Sequence, residues 1–363
     1  MIWAFLIILL LGVVFLQQRL APAALHRTLC EFSCDRILTE PEASVCLTTV
    51  VRNIGRLPIL YLSLLEYLPG RLTPLEDEAW CRRHLKKHYD ELCCDTRMFL
   101  MPHRRCEKQF RFSFPERGSY QLGKYYLETG DFLGAKSTYR DGEINQTVVV
   151  MPRLSSDPGV IRILGGFLGE ISVRRFLYED PVLTVGAREY TGHEPMKRIS
   201  WQQTARTGQL QVKEYDYTVD ANVTVLLNMD RGSEEDLETC FQITRSVCEE
   251  LERRRIPYEF DTNGDLSTPQ GRLSHLAEGL GSQHLRTILY GLGTSRCRGL
   301  GSLSDLVHRC LGSRKQARGY ILITPALSEQ DQASLTALRR ASDTELCLLT
   351  GRGEDFRKGG SPT

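Results

Sequence analysis

The sequence predicts an α+β multidomain chain: an N-terminal transmembrane helix, a β-sandwich, and then an α/β doubly wound domain. Three observations carry this prediction. Residues 2–16 (IWAFLIILLLGVVFL) form an uninterrupted apolar run. Between residues 27 and 153, short alternating or apolar stretches are separated by turn-forming residues, the texture of a sandwich. From residue 218 onward, short apolar stretches alternate with segments of helical periodicity, the pattern of a parallel sheet flanked by helices.

The apolar run is taken first. A helix of this length rises about 22 Å, short of the ~30 Å hydrocarbon core of a bilayer. Met1 and the residues from Gln17 to Leu20 complete a thin span, with Arg19 reaching to the interface. Ala21-Pro22-Ala23 offers the small residues of a cleavage site, but no Lys or Arg precedes the run, as signal peptides require. Residues 1–20 are therefore expected to be a retained, single-pass anchor. Arg19 and Arg27 follow it and no basic residue precedes it, which places the bulk of the chain in the cytoplasm.

In the second segment, residues 45–51, 57–65, 110–114, 120–127 and 146–150 read as strands. Asn53-Ile54-Gly55, Pro69-Gly70, Glu116-Arg117-Gly118 and Asp141-Gly142 mark turns. Residues 75–94 read as a charged helical insertion. On such a helix Cys81 and His84 share a face, as do His84 and His88, with Cys93, Cys94 and Cys106 further on, a spacing open to zinc. No Cys-x-x-Cys pair accompanies them, and Arg82, Arg83, Lys86 and Lys87 crowd a cation. Packed thiols are the simpler reading of the cluster, and no metal or cofactor is expected. The twelve cysteines show no spaced disulfide framework.

Lys and Arg total 46 against 45 Asp and Glu. That balance leaves no footprint for nucleic acid. A mean hydropathy of −0.27 excludes a polytopic membrane protein.

In the last segment, residues 223–227, 258–260, 320–323 and 345–349 read as strands. Residues 234–254, 281–291, 302–311 and 328–341 read as helices, with Ser328 a cap. These define an α/β domain over residues 218–350. The polar residues 351–363 are expected to be a disordered tail.

Residues 154–217 connect the two domains and hold the most distinctive stretch. It contains Arg188-Glu189-Tyr190, then Glu194-Pro195-Met196-Lys197-Arg198-Ile199-Ser200-Trp201, then Ala205-Arg206-Thr207-Gly208, then Leu210, Val212 and Glu214. This resembles the signature of the domain of unknown function 58 family: Tyr-x-x-Gly-Asp-x-x-Arg-x-Ile-x-Trp, a short gap, Ala-Arg-x-Gly-x-Leu-x-Val-x-Glu. His193 stands for glycine, Glu194 for aspartate and Lys197 for arginine, so charge is kept. Asn53 with Arg56-Leu57-Pro58, Glu116-Arg117-Gly118-Ser119-Tyr120, Asp131-Phe132-Leu133-Gly134 and Met151-Pro152-Arg153 resemble the family's β-domain. The resemblance implies a membrane anchor, a β-sandwich and a von Willebrand A-like domain in that order. It also implies a link to MoxR-type AAA+ ATPases.

Apart from the family, the residues of the signature read as a structural clasp joined to an interaction surface. Trp201 is expected to plug a hydrophobic gap. Arg206 is expected to pair with Glu189, Glu194 or Glu214 and tie the connector down. Domains of the A type often bind magnesium through Asp-x-Ser-x-Ser after their first strand. Here Asn228, Asp230 and Gly232 occupy those places, a degenerate set not expected to hold metal.

The sequence thus points to a non-enzymatic, membrane-anchored scaffold or adaptor of a bacterial cell. Its expected partners are the membrane and a protein, with a MoxR-type AAA+ ATPase implied by the resemblance. No catalytic residue is assigned. The competing expectations are a metal-dependent membrane-associated hydrolase and a receptor that binds through the β-sandwich.

Overall fold

A computed structural model describes residues 25–130, 137–177, 184–215, 223–312, 319–341 and 346–351, together with Gly12; the side chains of 172–177, 184–185 and 214–215 are not described. The expected anchor, apart from Gly12, and the expected disordered tail, apart from Gly351, lie outside the described residues. Among those described, no helix is long and apolar enough to cross a membrane. The chain is a mixed α+β protein of two compact units, one formed by Met1–Arg153 with Leu292–Thr294, the other by Leu154–Gly291 with Ser295–Thr363.

The first unit is a β-sandwich. Its elements are β1 (Thr28–Cys34), β2 (Leu38–Thr39), β3 (Val45–Asn53), β4 (Ile59–Pro69), β5 (Thr73–Pro74), α1 (Glu78–His84), β6 (Leu85–His88), β7 (Glu91–Leu100), β8 (Arg105–Ser113), β9 (Gly118–Gly130) and β10 (Ser137–Val150). One sheet runs β1-β3-β8-β5 and the other β2-β10-β9-β4-β7-β6. The alternation in the sequence is the cause: Val45, Leu47 and Val51 of β3, and Phe110 and Phe112 of β8, point inward. They meet Leu62, Leu64, Leu122, Leu127 and Val148 of the other sheet in one core.

A charged pair crosses this core. Glu66 on β4 is buried and accepts hydrogen bonds from Thr49 Oγ1 on β3 (2.5 Å) and from Lys108 Nζ on β8. Lys108 Nζ also donates to Cys94 Sγ on β7 at 3.0 Å. Both sheets are therefore tied by one fully partnered polar cluster, the only form in which a buried carboxylate is tolerable.

The helical insertion expected at 75–94 is shorter than that. Only Glu78–His84 is helical, and the chain then forms a hairpin of β6 and β7 that turns at Tyr89, whose φ is 50°. The alternation into buried Cys94 and Leu100 overrides the helical spacing of the preceding charged residues.

The second unit begins with α2 (Pro158–Leu177), which the sequence reading left within the connector. Val160, Leu164, Phe167, Leu168 and Ile171 form its buried stripe. A hairpin follows, β11 (Thr184–Glu189), α3 (Trp201–Thr207) and β12 (Gln211–Tyr215). The α/β part comprises β13 (Val223–Leu227), α4 (Glu234–Arg253), β14 (Tyr258–Thr262), β15 (Ser267–Thr268), β16 (Gly271–Arg272), β17 (His275–Gly279), α5 (Ser282–Thr294), α6 (Leu303–Gly312), β18 (Gly319–Thr324), α7 (Gln332–Ala341) and β19 (Cys347–Thr350).

Its sheet has the order β17-β14-β13-β18-β19, parallel except for the antiparallel edge strand β17. Every residue of β13, β18 and β19 is buried, as strands covered on both faces must be. Leu226, Tyr320 and Leu322 share one core with Leu303, Leu306 and Val307 of α6 and Leu335 and Leu338 of α7. Ser233 caps α4 through a reciprocal pair with Asp236. Ser328 makes the same arrangement with Asp331 before α7.

Candidate interaction site

The signature residues fold into a small antiparallel unit. β11 pairs with β12, Glu189 facing Gln211 and Arg188 facing Val212. On the other side of β12, Ile199 bridges Val212 and the Ser200 amide donates to the Gln211 carbonyl at 2.7 Å. Trp201 follows as the first residue of α3, and the Tyr190 amide donates to the Leu210 carbonyl at 2.9 Å. Arg188, Val212 and Ile199 form one row across the unit; Tyr190 and Leu210 lie two residues on, and Trp201 two residues after Ile199.

These residues differ in burial. Ile199 and Val212 are buried, whereas Trp201 is 62% exposed and Leu210 42%. Met196, before the bridge, is 68% exposed. The expected burial of Trp201 is therefore corrected: the residue that fills the gap is Ile199, two positions earlier. Trp201 opens α3, a single short helix that has no buried residue.

One of the carboxylates expected to pair with Arg206 is taken by another cation. Glu194 is held by Arg188 at 2.7 Å and accepts from the Thr191 hydroxyl (2.8 Å) and the Thr191 amide (3.1 Å). These hydrogen bonds, the Thr191 hydroxyl foremost and then the Arg188 guanidinium, hold its carboxyl down at about 2. Arg206 lies exposed in the last turn of α3 instead, as do Ala205 within that helix and Lys197 before it. Glu189 is exposed on β11, and the side chain of Glu214 is not among those described.

Gly208 ends α3 with φ 75° and returns its amide to the Thr204 carbonyl at 2.9 Å. Only glycine takes this left-handed cap without strain, and it turns the chain back into β12. Thr204 Oγ1 accepts from the Gln211 amide at 3.0 Å, closing the turn. The signature thus builds a hairpin from which Trp201, Leu210 and the cations Lys197, Arg206 and Lys213 face water.

The second candidate lies at the carboxyl ends of the parallel strands, where open α/β sheets place ligands. Asn228 follows β13 and is buried there. Its Nδ2 donates to Thr324 Oγ1 (2.9 Å), and its Oδ1 accepts from Asn263 Nδ2 (2.7 Å) and the Asp230 amide (3.1 Å). Asn263 donates also to the Gly301 carbonyl and accepts the Met229 amide at 2.8 Å. The crevice is filled by amides that satisfy one another.

Asp230 lies 3.4 Å from Arg231, whose guanidinium donates to Ser328 Oγ and Gln330 Oε1. Gly232 is needed for close approach, since a Cβ there would stand 2.7 Å from that of Pro325. The structure therefore brings Asn228, Asp230 and Gly232 together, and adds Asn263, which the sequence reading missed because it lies on a different strand. Among the described residues no group of three or more His, Cys, Asp or Glu is placed to hold a metal.

The cysteine-histidine cluster is dispersed by the hairpin. His84 faces the Trp80 carbonyl at 3.0 Å and stacks on its ring, while His88 meets Tyr89. Cys93 and Cys94 are buried in β7. The twelve cysteines form no disulfide. Burial pushes the thiols of Cys30, Cys34, Cys240 and Cys347 up to about 12, so they stay protonated and behave as small apolar groups.

No family model matches the chain. It is 21% identical over 287 residues to YeaD, an uncharacterized protein of Bacillus subtilis, over 78% of this chain and 66% of that protein. The chain thus spans just under two thirds of that relative's length. Among solved structures, it is similar over 34% of its length to a CARDB domain of Pyrococcus furiosus, at 13% identity and a TM-score of 0.22, covering 91% of that domain. Over 33% of its length it is similar to a cohesin of Archaeoglobus fulgidus, at 12% identity and a TM-score of 0.24, covering 90% of that chain.

Proposed function

We propose that this protein is a membrane-anchored adaptor that binds a partner protein through the signature hairpin and performs no catalysis of its own. In this proposal it is a member of the domain of unknown function 58 family. Residues 2–16 then form its anchor, and the α/β unit is von Willebrand A-like. The observation that carries the proposal is the exposure of Trp201 and Leu210, with half-buried Tyr190 hydrogen-bonded to Leu210. An exposed tryptophan, with exposed Met196, Arg206 and Leu210 in the same signature, has the composition of a protein-binding hot spot. The amide-filled crevice supports a structural use of the sheet ends. The partner that the family resemblance supplies is a MoxR-type AAA+ ATPase.

The test is co-purification of the tagged full chain from detergent-solubilised membranes, with Trp201→Ala and Leu210→Ser as variants. Retention of the ATPase by the wild type and its loss from both variants supports the adaptor. Equal retention, or turnover of a hydrolase substrate by the purified chain, contradicts it.

A further inference from the structure

We infer that one end of the β-sandwich is a docking face for an anionic phospholipid surface. The inference rests on the membrane-anchored part of the proposal above and is independent of the hairpin.

The end is organised by Asn53, buried at the close of β3. Its Nδ2 donates to the carbonyls of Leu57 (2.8 Å) and Leu100 (3.3 Å), and its amide donates to the Arg104 carbonyl at 3.0 Å. The Ile54 amide donates to the Arg27 carbonyl at 2.9 Å. The Asn53 side chain thus gathers the 54–58 loop and the end of β7, and the Asn53 and Ile54 amides tie in the 101–104 turn and the residue before β1.

What these segments present is uniform. Arg27, Arg52, Arg56, Arg104 and Arg105 are exposed, and residues 25–28, 52–61 and 97–105 contain no Asp or Glu. None of these five arginines has an ion-pair partner among the described residues. Arg97 has one, Asp95 at 3.3 Å. Arg52 and Arg105 stand directly opposite each other across β3 and β8, an arrangement that costs stability in water. On the same sheet Glu31 and Glu107 flank Val50, one row further from the end.

Apolar side chains sit at the same end. Phe99 is 70% exposed and faces the bulge in β4 that carries Leu60, 57% exposed, and Tyr61. Met101 and Ile54 are exposed beside them. Aromatic and aliphatic groups ringed by arginines match the headgroup zone of a bilayer, where rings enter the acyl boundary and guanidiniums meet phosphates. Strand β1 also begins at this end, at Thr28, so the apolar residues 2–16 precede the face by a short stretch of sequence. That continuity selects a bilayer over an acidic protein as the occupant.

The experiment uses the full chain reconstituted in nanodiscs of phosphatidylcholine alone or of phosphatidylcholine with phosphatidylglycerol, followed by hydrogen–deuterium exchange. Residues 52–61 and 97–105 should exchange more slowly in the anionic discs. Arg52→Gln with Arg105→Gln, and separately Phe99→Ser, should remove the difference without lowering the melting temperature. In sedimentation with anionic vesicles, each arginine removed should weaken binding about fivefold. Identical exchange in both lipids, with the chain still retained in the disc, overturns the docking face and leaves the anchor standing. Loss of the chain from membranes on alkaline washing, together with arginine-dependent binding to vesicles, supports the docking face and overturns the anchor. Protection that needs an added protein rather than anionic lipid also overturns it.

Discussion

Ile199 bridges Val212 and both are buried, while Trp201 and Leu210, each two residues from one of them in sequence, face water. Packing and exposure are thus divided between neighbouring residues. Substitutions in the two pairs should separate stability from binding.

Ile199→Ala and Val212→Ala should each lower stability by about 2 kcal/mol or more, as removal of a buried aliphatic group does. Trp201→Ala should change it by no more than about 0.5 kcal/mol, as for an exposed position. Denaturant unfolding of the three variants checks this. A loss for Trp201→Ala matching that of Ile199→Ala would restore the buried clasp.

The carboxyl of Glu194 should titrate near pH 2, because the Thr191 hydroxyl and Arg188 favour its ionised form. A depressed carboxylate stabilises the fold above its unfolded pKa of about 4.5, and that contribution is lost as pH falls through its folded value. The hairpin should therefore stay ordered at pH 4 and loosen towards pH 2. Carboxyl carbon NMR of the Glu194→Gln variant against wild type identifies the signal, and titration near 4.5 contradicts the geometry.

Asn228→Ala should cost about 1–3 kcal/mol, because Asn263 and the Thr324 hydroxyl lose a buried partner. Melting curves with chelator and with excess magnesium should overlay. A magnesium-dependent rise that Asp230→Ala abolishes would mean that the crevice opens to a cation.

Lys108→Met should destabilise the sandwich by about 3–5 kcal/mol, since it leaves the Glu66 carboxylate buried without its cation. Adding Glu66→Leu to it should recover most of that loss. A double variant no more stable than Lys108→Met alone would show that packing, not the stranded charge, sets the cost.

The sequence made the strands and helices of the α/β unit legible because each is a run of one period, as in residues 223–227 or 234–254. The β-sandwich followed from alternation. Helix α2 was not legible, since Gly159, Gly165, Gly166 and Gly169 argue against a helix and only the packed stripe from Val160 to Ile171 reveals one. The signature was visible as residues but not as geometry. Which of Ile199 and Trp201 turns inward depends on the bridge to Val212, a pairing that no local pattern encodes. Asn263 was invisible for the same reason: it meets Asn228 only because β14 lies beside β13.

The most direct test of the adaptor reading is a photo-crosslinking amino acid placed at position 201 of the full chain in native membranes, with position 253 on α4 as the exposed control. The account predicts that position 201, and not 253, captures a MoxR-type AAA+ ATPase, and that Leu210→Ser reduces the capture at least about tenfold, the change expected from losing 1.4 kcal/mol of contact. Equal capture from both positions, or none of the ATPase from position 201, would contradict it.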